Sequence, residues 1–215
     1  MIEKAKAFVR SVFTRTGRET NEAVFSRIHQ KNLWENSESA SGRGSTVART
    51  EVIRRELASL LEEFGARSLF DAACGDFNWM QHVALPDVDY MGADVVPELV
   101  ACNRRLYEGG KRSFVVIDIT RDQLPAVDVI LCRDCLIHLS AADIHNAIAN
   151  FKRSNSTFLL ATTHTRVLEN RDIRTGDWRS VNLQLSPFNF GAPIRLISED
   201  AESGKCLGLW RLADL

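Results

Sequence analysis

The sequence predicts an α/β domain: a doubly wound, mostly parallel seven-stranded sheet with a C-terminal antiparallel hairpin, preceded by N-terminal helices. Three observations predict it. From residue 68 onward, apolar runs of strand length alternate with amphipathic helical runs. Two further apolar runs close the chain around a Ser203-Gly204 turn signal. With 215 residues, 45% of them hydrophobic, the chain fills one substantial core and falls short of two ordinary domains.

Residues 1–32 read as one or two helices, with Ile2, Ala5, Val9 and Val12 at helical spacing and Lys4, Lys6, Arg10 and Arg15 between them. Such a helix packs on the domain or on a partner; lying on a membrane surface is the lesser alternative. Residues 35–46, ENSESASGRGST, are rich in Ser and Gly and read as loop. A helix is expected next, capped by Ser45 or Thr46, with Ile53, Leu57, Leu60, Leu61 and Phe64 as its apolar stripe and Gly65 as its stop. The division is placed there, with 1–45 as an N-terminal helical segment and loop and 46–215 as the sheet domain. Strands are expected at 68–72, 90–93, 113–117, 127–132 and 157–162, with helices at 97–107 and 141–151 between them. The polar stretch 164–193 is too long for a plain connector and suggests a substrate loop or lid. Runs 194–198 and 206–212, joined by 199–205, read as the hairpin.

A formal net charge of -1 lacks the basic bias of a dedicated nucleic-acid binder, so a small-molecule or glycan partner is expected. No apolar run approaches the roughly 20 residues a membrane helix needs, and residues 1–10 have no signal-peptide core, so the chain reads as cytoplasmic. The five cysteines, Cys74, Cys102, Cys132, Cys135 and Cys206, then read as reduced thiols. Cys132 and Cys135 form a C-x-x-C, but no second pair completes a zinc set, so no metal is expected.

The chemistry concentrates at the strand ends, outside which an open α/β sheet binds its ligand. In SLFDAACGDFNWM, residues 68–80, an apolar strand ends in Asp71 and a tight turn through Ala72, Ala73, Cys74 and Gly75 follows. There is no G-x-G-x-x-G, and a carboxylate there repels a pyrophosphate, which argues against a dinucleotide. The second strand ends in Asp94, 23 positions beyond Asp71, where an acid accepts both hydroxyls of a ribose or, alternatively, faces the dipole of the next helix. Asp118-Ile119 closes the third strand. Three strand-ending acids in order are hard to produce by chance.

These segments resemble the motifs of the class I, Rossmann-like S-adenosylmethionine-dependent methyltransferases, and the resemblance spans about residues 46–215. The first motif departs from the commoner Gly-x-Gly form in having Ala73-Cys74-Gly75. The resemblance implies that Asp71 holds the methionine amino group above the turn of Ala73, Cys74, Gly75 and Asp76. It assigns the ribose to Asp94 with Val95, and the adenine amine and ring to Asp118 and Ile119. In VDVILCRDCLIHLS, residues 127–140, it puts a polar residue such as Arg133, Asp134 or His138 near the methyl group. Trp34, Ser45 and Thr46 precede the first strand and are expected over the methionine end. Trp79, Arg174, Trp178 and Arg179 are expected to line the acceptor site, since aromatic and hydrogen-bonding groups mixed in this way suit a sugar or polar metabolite.

The implied reaction is methyl transfer from S-adenosyl-L-methionine to an oxygen of a small polar metabolite or glycan. If the segment after Cys132 turns helical, Asp134 and His138 lie four apart on one face, so Asp134 orients His138 as general base; His164 is the competing base. A protein or N-methyltransferase of the same fold and a non-catalytic cofactor-binding regulator remain open, and a nicotinamide-dependent oxidoreductase is the rival that Asp94 alone would also suit.

Overall fold

The computed structural model describes residue 17 and residues 19–215. The expected helix carrying Ile2, Ala5, Val9 and Val12 lies outside the described residues. The elements run α1 (Asn21–Gln30), α2 (Glu51–Glu63), β1 (Ser68–Asp71), β2 (Asp89–Asp94), α3 (Pro97–Tyr107), β3 (Arg112–Val116), β4 (Val129–Cys132), α4 (Ala141–Arg153), β5 (Phe158–His164), β6 (Arg195–Asp200) and β7 (Lys205–Arg211).

Local chemistry sets the helix ends. Thr20 caps α1 by accepting the Ala23 N–H at 3.2 Å, and Ser140 caps α4 through the Asp143 N–H. Gly65, at φ 64°, ends α2 in a paired reverse bond, Gly65 N–H to Glu62 O and Ala66 N–H to Leu61 O. The start of α2 differs from expectation. Neither Ser45 nor Thr46 caps it, because residues 46–50 form a turn of their own: the Thr50 N–H reaches Thr46 O, and the Thr50 hydroxyl donates back to Thr46 O at 2.9 Å.

The sheet order is β3-β2-β1-β4-β5-β7-β6. Strands β1 to β5 run parallel, and β7 slots antiparallel between β5 and β6. The chain builds outward from β1 to β3, then returns across the sheet to β4, so the order reverses between β1 and β4. A crevice opens at that point beyond the carboxyl ends of the strands.

Both faces are covered, as the continuous apolar strands require. Side-chain alternation sends Leu69, Leu131, Leu160 and Leu209 to one face, under Ile53, Leu57 and Leu61 of α2 and Val100 of α3. Phe70, Ile130, Leu159 and Trp210 go to the other, against Ile144, Ala147 and Phe151 of α4. The segment 165–193 has no regular elements, yet Val181, Leu183 and Phe190 are buried in this second layer. No helix among the described residues is long and apolar enough to cross a membrane.

Phe151 is fully buried at the centre of the second layer. Phe151→Ala should lower unfolding stability in urea by about 3–5 kcal/mol, from lost burial plus the cavity left behind; a loss under about 1 kcal/mol would mean that α4 does not pack as described.

Candidate active site

Beyond the strand ends lies a cavity of about 570 Å³, within the range of small-molecule and cofactor sites. Its floor is the expected set of strand ends: Ala73, Gly75, Asp94, Val95, Asp118, Ile119 and Arg133 all line it. Trp34 and Ser45 line it from the loop before α2, as do Asp134, His138, His164 and Trp178 from the other side.

Asp94 is held on two sides. Its Oδ1 accepts the Val96 N–H at 2.9 Å and its Oδ2 the Gly75 N–H at 3.0 Å. Burial raises its pKa, and these backbone donors, together with that of Val95, oppose the rise. A carboxylate has about four acceptor positions, more than these donors use, so acceptor capacity remains for a ligand.

Several expected contacts fall elsewhere. Asp71 does not line the cavity: it follows Leu69 by two residues and so points to the α2 face, where its Oδ2 accepts the Tyr90 hydroxyl at 2.9 Å. Burial pushes its pKa up to about 7 against the pull of Tyr90 and the Ala73 N–H. Cys74 lies beside Asn103, and burial raises its thiol pKa well above the ordinary value. Asp76 anchors the 39–41 loop, accepting from Ser39 Oγ at 3.0 Å and the Ala40 N–H at 2.7 Å. Thr46 turns its hydroxyl to Arg43 O at 3.1 Å.

Three acceptor-site expectations are corrected. Trp79 is buried in the α2-side core, with the Arg133 guanidinium 5.2 Å above its ring. Arg174 is exposed and outside the cavity wall. Arg179 is buried and donates to Leu136 O at 2.7 Å, and burial brings its pKa down to about 10. It is a clamp holding segment 171–182 onto the turn after β4. Trp178 does line the cavity and is 62% exposed, a flat apolar surface at the rim.

The segment after Cys132 does not become an α-helix. Asp134 takes φ 51° and only a single 3-10 turn follows, Leu136–His138. Asp134 therefore does not orient His138. Its Oδ2 instead meets Lys205 Nζ at 2.6 Å and Arg133 at 3.3 Å; burial alone would raise its pKa, but these cations hold it well below the usual carboxylate range. His138 is oriented by a backbone carbonyl, Asp177 O, 2.9 Å from Nδ1. A carbonyl only accepts, so Nδ1 carries the hydrogen and Nε2 the lone pair. Burial lowers the His138 pKa below 6.5, which keeps the ring neutral at pH 7. Trp34 leans on it at 5.2 Å between ring centroids. His164 is buried, with Nδ1 3.3 Å from both the O and the N of Val181.

Reading from the sequence missed two wall elements. Glu199 and Lys205, taken as part of the hairpin connection, belong to β6 and β7. The ladder is irregular between Ser198 and Asp200, and Glu199 turns inward there, its side chain 3% exposed and 2.7 Å from Arg133. The other is α1, whose Asn21, Phe25 and His29 line the cavity at spacing i, i+4, i+8; that stripe was the available signal. Cys135 also lines the cavity, and among the described residues no cluster of His, Cys, Asp or Glu is placed to hold a metal.

No protein-family model and no curated protein sequence matches the chain. Solved structures match it by shape. Human N-acetylserotonin methyltransferase in complex with SAM superposes with a TM-score of 0.61 at 12% identity, over 96% of this chain and 64% of that one. This chain therefore spans less than two thirds of that enzyme's length. Magnesium protoporphyrin IX methyltransferase from Synechocystis with bound SAM gives 0.61 at 13% identity, covering 88% of this chain and 95% of that one. The N-methyltransferase NodS from Bradyrhizobium japonicum gives 0.51 at 16%, covering 73% and 94%. This is the class I methyltransferase fold.

The buried Asp71 has a thermodynamic signature. Its pKa is higher folded than unfolded, so between about pH 4 and 7 the folded state holds a proton that the unfolded state has released. Stability contributed here is lost as pH rises, and above 7 the buried charge costs about 4 kcal/mol at most. Asp71→Asn should gain on the parent by a large part of that amount between pH 5 and pH 8 in urea unfolding; an unchanged gap would show that Asp71 is ionised throughout.

Proposed function

We propose that this protein is an S-adenosylmethionine-dependent methyltransferase acting on an oxygen of a small polar metabolite or glycan, with His138 as general base. The observation that carries it is the pairing, in one cavity, of a strand-end acid with lone pairs to spare and a neutral imidazole whose basic nitrogen is unclaimed by Asp177. The residues present fit the cofactor. Asp94 would take the ribose diol, Phe25 and Ile119 supply apolar surface for the base, and Arg43 and Ser45 border the opposite end, where a carboxylate would lie.

When bound, the cofactor supplies an electrophilic sulfonium methyl group. The chain must align an acceptor with it and receive the acceptor's proton. His138 Nε2 would take that proton, the positive ring then being stabilised through Nδ1–H to the Asp177 carbonyl and by the nearby charge of Asp134. Burial opposes that charge, so the imidazole stays a free base at neutral pH. Trp178 offers a face for the apolar side of a sugar ring, and Trp34 fences the base from the opposite side. The structural neighbours are named for unlike acceptors, so the acceptor class is argued from this wall alone.

Methyl transfer from labelled S-adenosylmethionine to a panel of sugars and hydroxylated metabolites tests the reading, with calorimetry against S-adenosylhomocysteine as the binding control. His138→Ala should reduce kcat by roughly 100- to 10,000-fold while leaving S-adenosylhomocysteine affinity within about threefold. The parent kcat should fall as pH drops through a midpoint below 6.5, since protonation removes the base, and should level off above it. Full turnover in the variant would remove His138 from the mechanism; no heat with S-adenosylhomocysteine would remove the cofactor.

A further inference from the structure

Helix α1 precedes the segment whose sequence motifs resemble the methyltransferases, yet it forms the cavity wall facing Asp94, Asp118 and Ile119. Asn21, Phe25 and His29 lie on one stripe and span about 12 Å along the helix, a length comparable to an adenosine. Asp118, the acid at the end of the third strand segment, is already saturated. Its Oδ1 accepts the Thr120 N–H at 3.0 Å and the Thr120 hydroxyl at 2.7 Å, and Arg121 Nε stands 3.2 Å from Oδ2. Asn21 Nδ2 completes the shell, 3.1 Å from Oδ1 and 3.3 Å from Oδ2.

The amide has no freedom left on its nitrogen side either. A carboxylate only accepts, so the NH2 must face Asp118, and its remaining hydrogen meets Thr120 Oγ1 at 3.2 Å. What the pair still offers a ligand is Asn21 Oδ1, to which no described residue donates. Two turns further along the stripe, His29 Nδ1 is buried with no hydrogen-bond partner among the described residues, at the Asp94 end.

We propose that Asn21 Oδ1 receives the exocyclic amine of the cofactor's purine, and that Asp118 is a positioning residue that fixes the Asn21 amide with its carbonyl toward the ligand. The inference rests on the cofactor reading above. A purine amine is a donor and meets an unused acceptor; a purine carrying an oxo group there sets oxygen against oxygen. Selectivity for the amine thus belongs to α1, and the strand-end acid contributes through it.

Calorimetry with S-adenosylhomocysteine and S-inosylhomocysteine, which differ in that amine, tests this on the full chain. The parent should prefer the adenosyl ligand by roughly tenfold or more. Asn21→Ala should weaken S-adenosylhomocysteine about tenfold, leave S-inosylhomocysteine within about threefold, and so erase the preference. Asn21→Leu repeats the measurement if the alanine variant melts early. Asp118→Asn placed on Asn21→Ala should add no further loss, because its effect runs through the amide already removed. A retained preference in the Asn21 variants, tighter S-adenosylhomocysteine binding there, or additive losses in the double variant would overturn the proposal, as would a parent that binds both ligands equally. A parent that binds neither overturns the cofactor reading instead, so the two failures are distinct.

Discussion

The guanidinium of Arg133 is the contact on which the cavity depends. It sits at the carboxyl end of β4 over the Trp79 ring, donates to Gly44 O at 2.9 Å and pairs with Glu199 at 2.7 Å. Three segments far apart in sequence therefore converge on one planar cation: the loop before α2, the end of β4 and the inward-turned residue of β6. Asp134 and Lys205 complete a neutral set of two cations and two carboxylates. Burying such charges gains little over apolar packing, but removing one member strands its partners at a cost of about 3–5 kcal/mol. The network is thus better understood as fixing geometry than as supplying stability. Gly44 shows how tightly it is drawn, since a Cβ there would stand 2.9 Å from Asp134 Oδ2.

A second set of bonds holds His138. The turn carrying His138 is bracketed by segment 171–182: Gly176 N–H reaches His138 O, Arg179 N–H reaches Ile137 O, and Thr175 Oγ1 accepts the Ser140 N–H and also bonds Asp143 at the start of α4. Backbone carbonyls and amides, which cannot titrate, orient the imidazole. Burial lowers its proton affinity most, while the Asp177 carbonyl that orients the ring and the charge of Asp134 raise it, so one backbone group serves both orientation and basicity.

The fold was legible because parallel strands covered on both faces read as uninterrupted apolar runs, and because Gly65 and Gly204 mark their turns through positive φ. Asp94 and Asp118 were legible for the same reason, as the polar residues ending such runs. Asp71 was found at a strand end, but its side chain obeys the alternation that buries Leu69 two positions earlier. Trp79 and Arg179 read as binding groups because large aromatic and cationic side chains suit both a pocket and a core. Only their partners decide, and Arg133 and Leu136 O lie 40 or more positions away. Glu199 was hidden by a local irregularity of the β6–β7 ladder that no periodicity signals.

The two halves of the cavity are built by different rules. The half holding Asp94, Asp118 and Ile119 follows from strand order alone, since the reversal between β1 and β4 creates a crevice wherever this topology forms. The half holding His138, Trp178, Glu199 and Lys205 is assembled from a 3-10 turn, an irregular loop and a distorted hairpin, and sheet topology alone does not set their arrangement. Shape similarity at 12–16% identity therefore speaks to the first half and is silent on the second. The ionic set around Arg133 and the rim at Trp178 are therefore particular to this chain's own irregular segments rather than to its strand order.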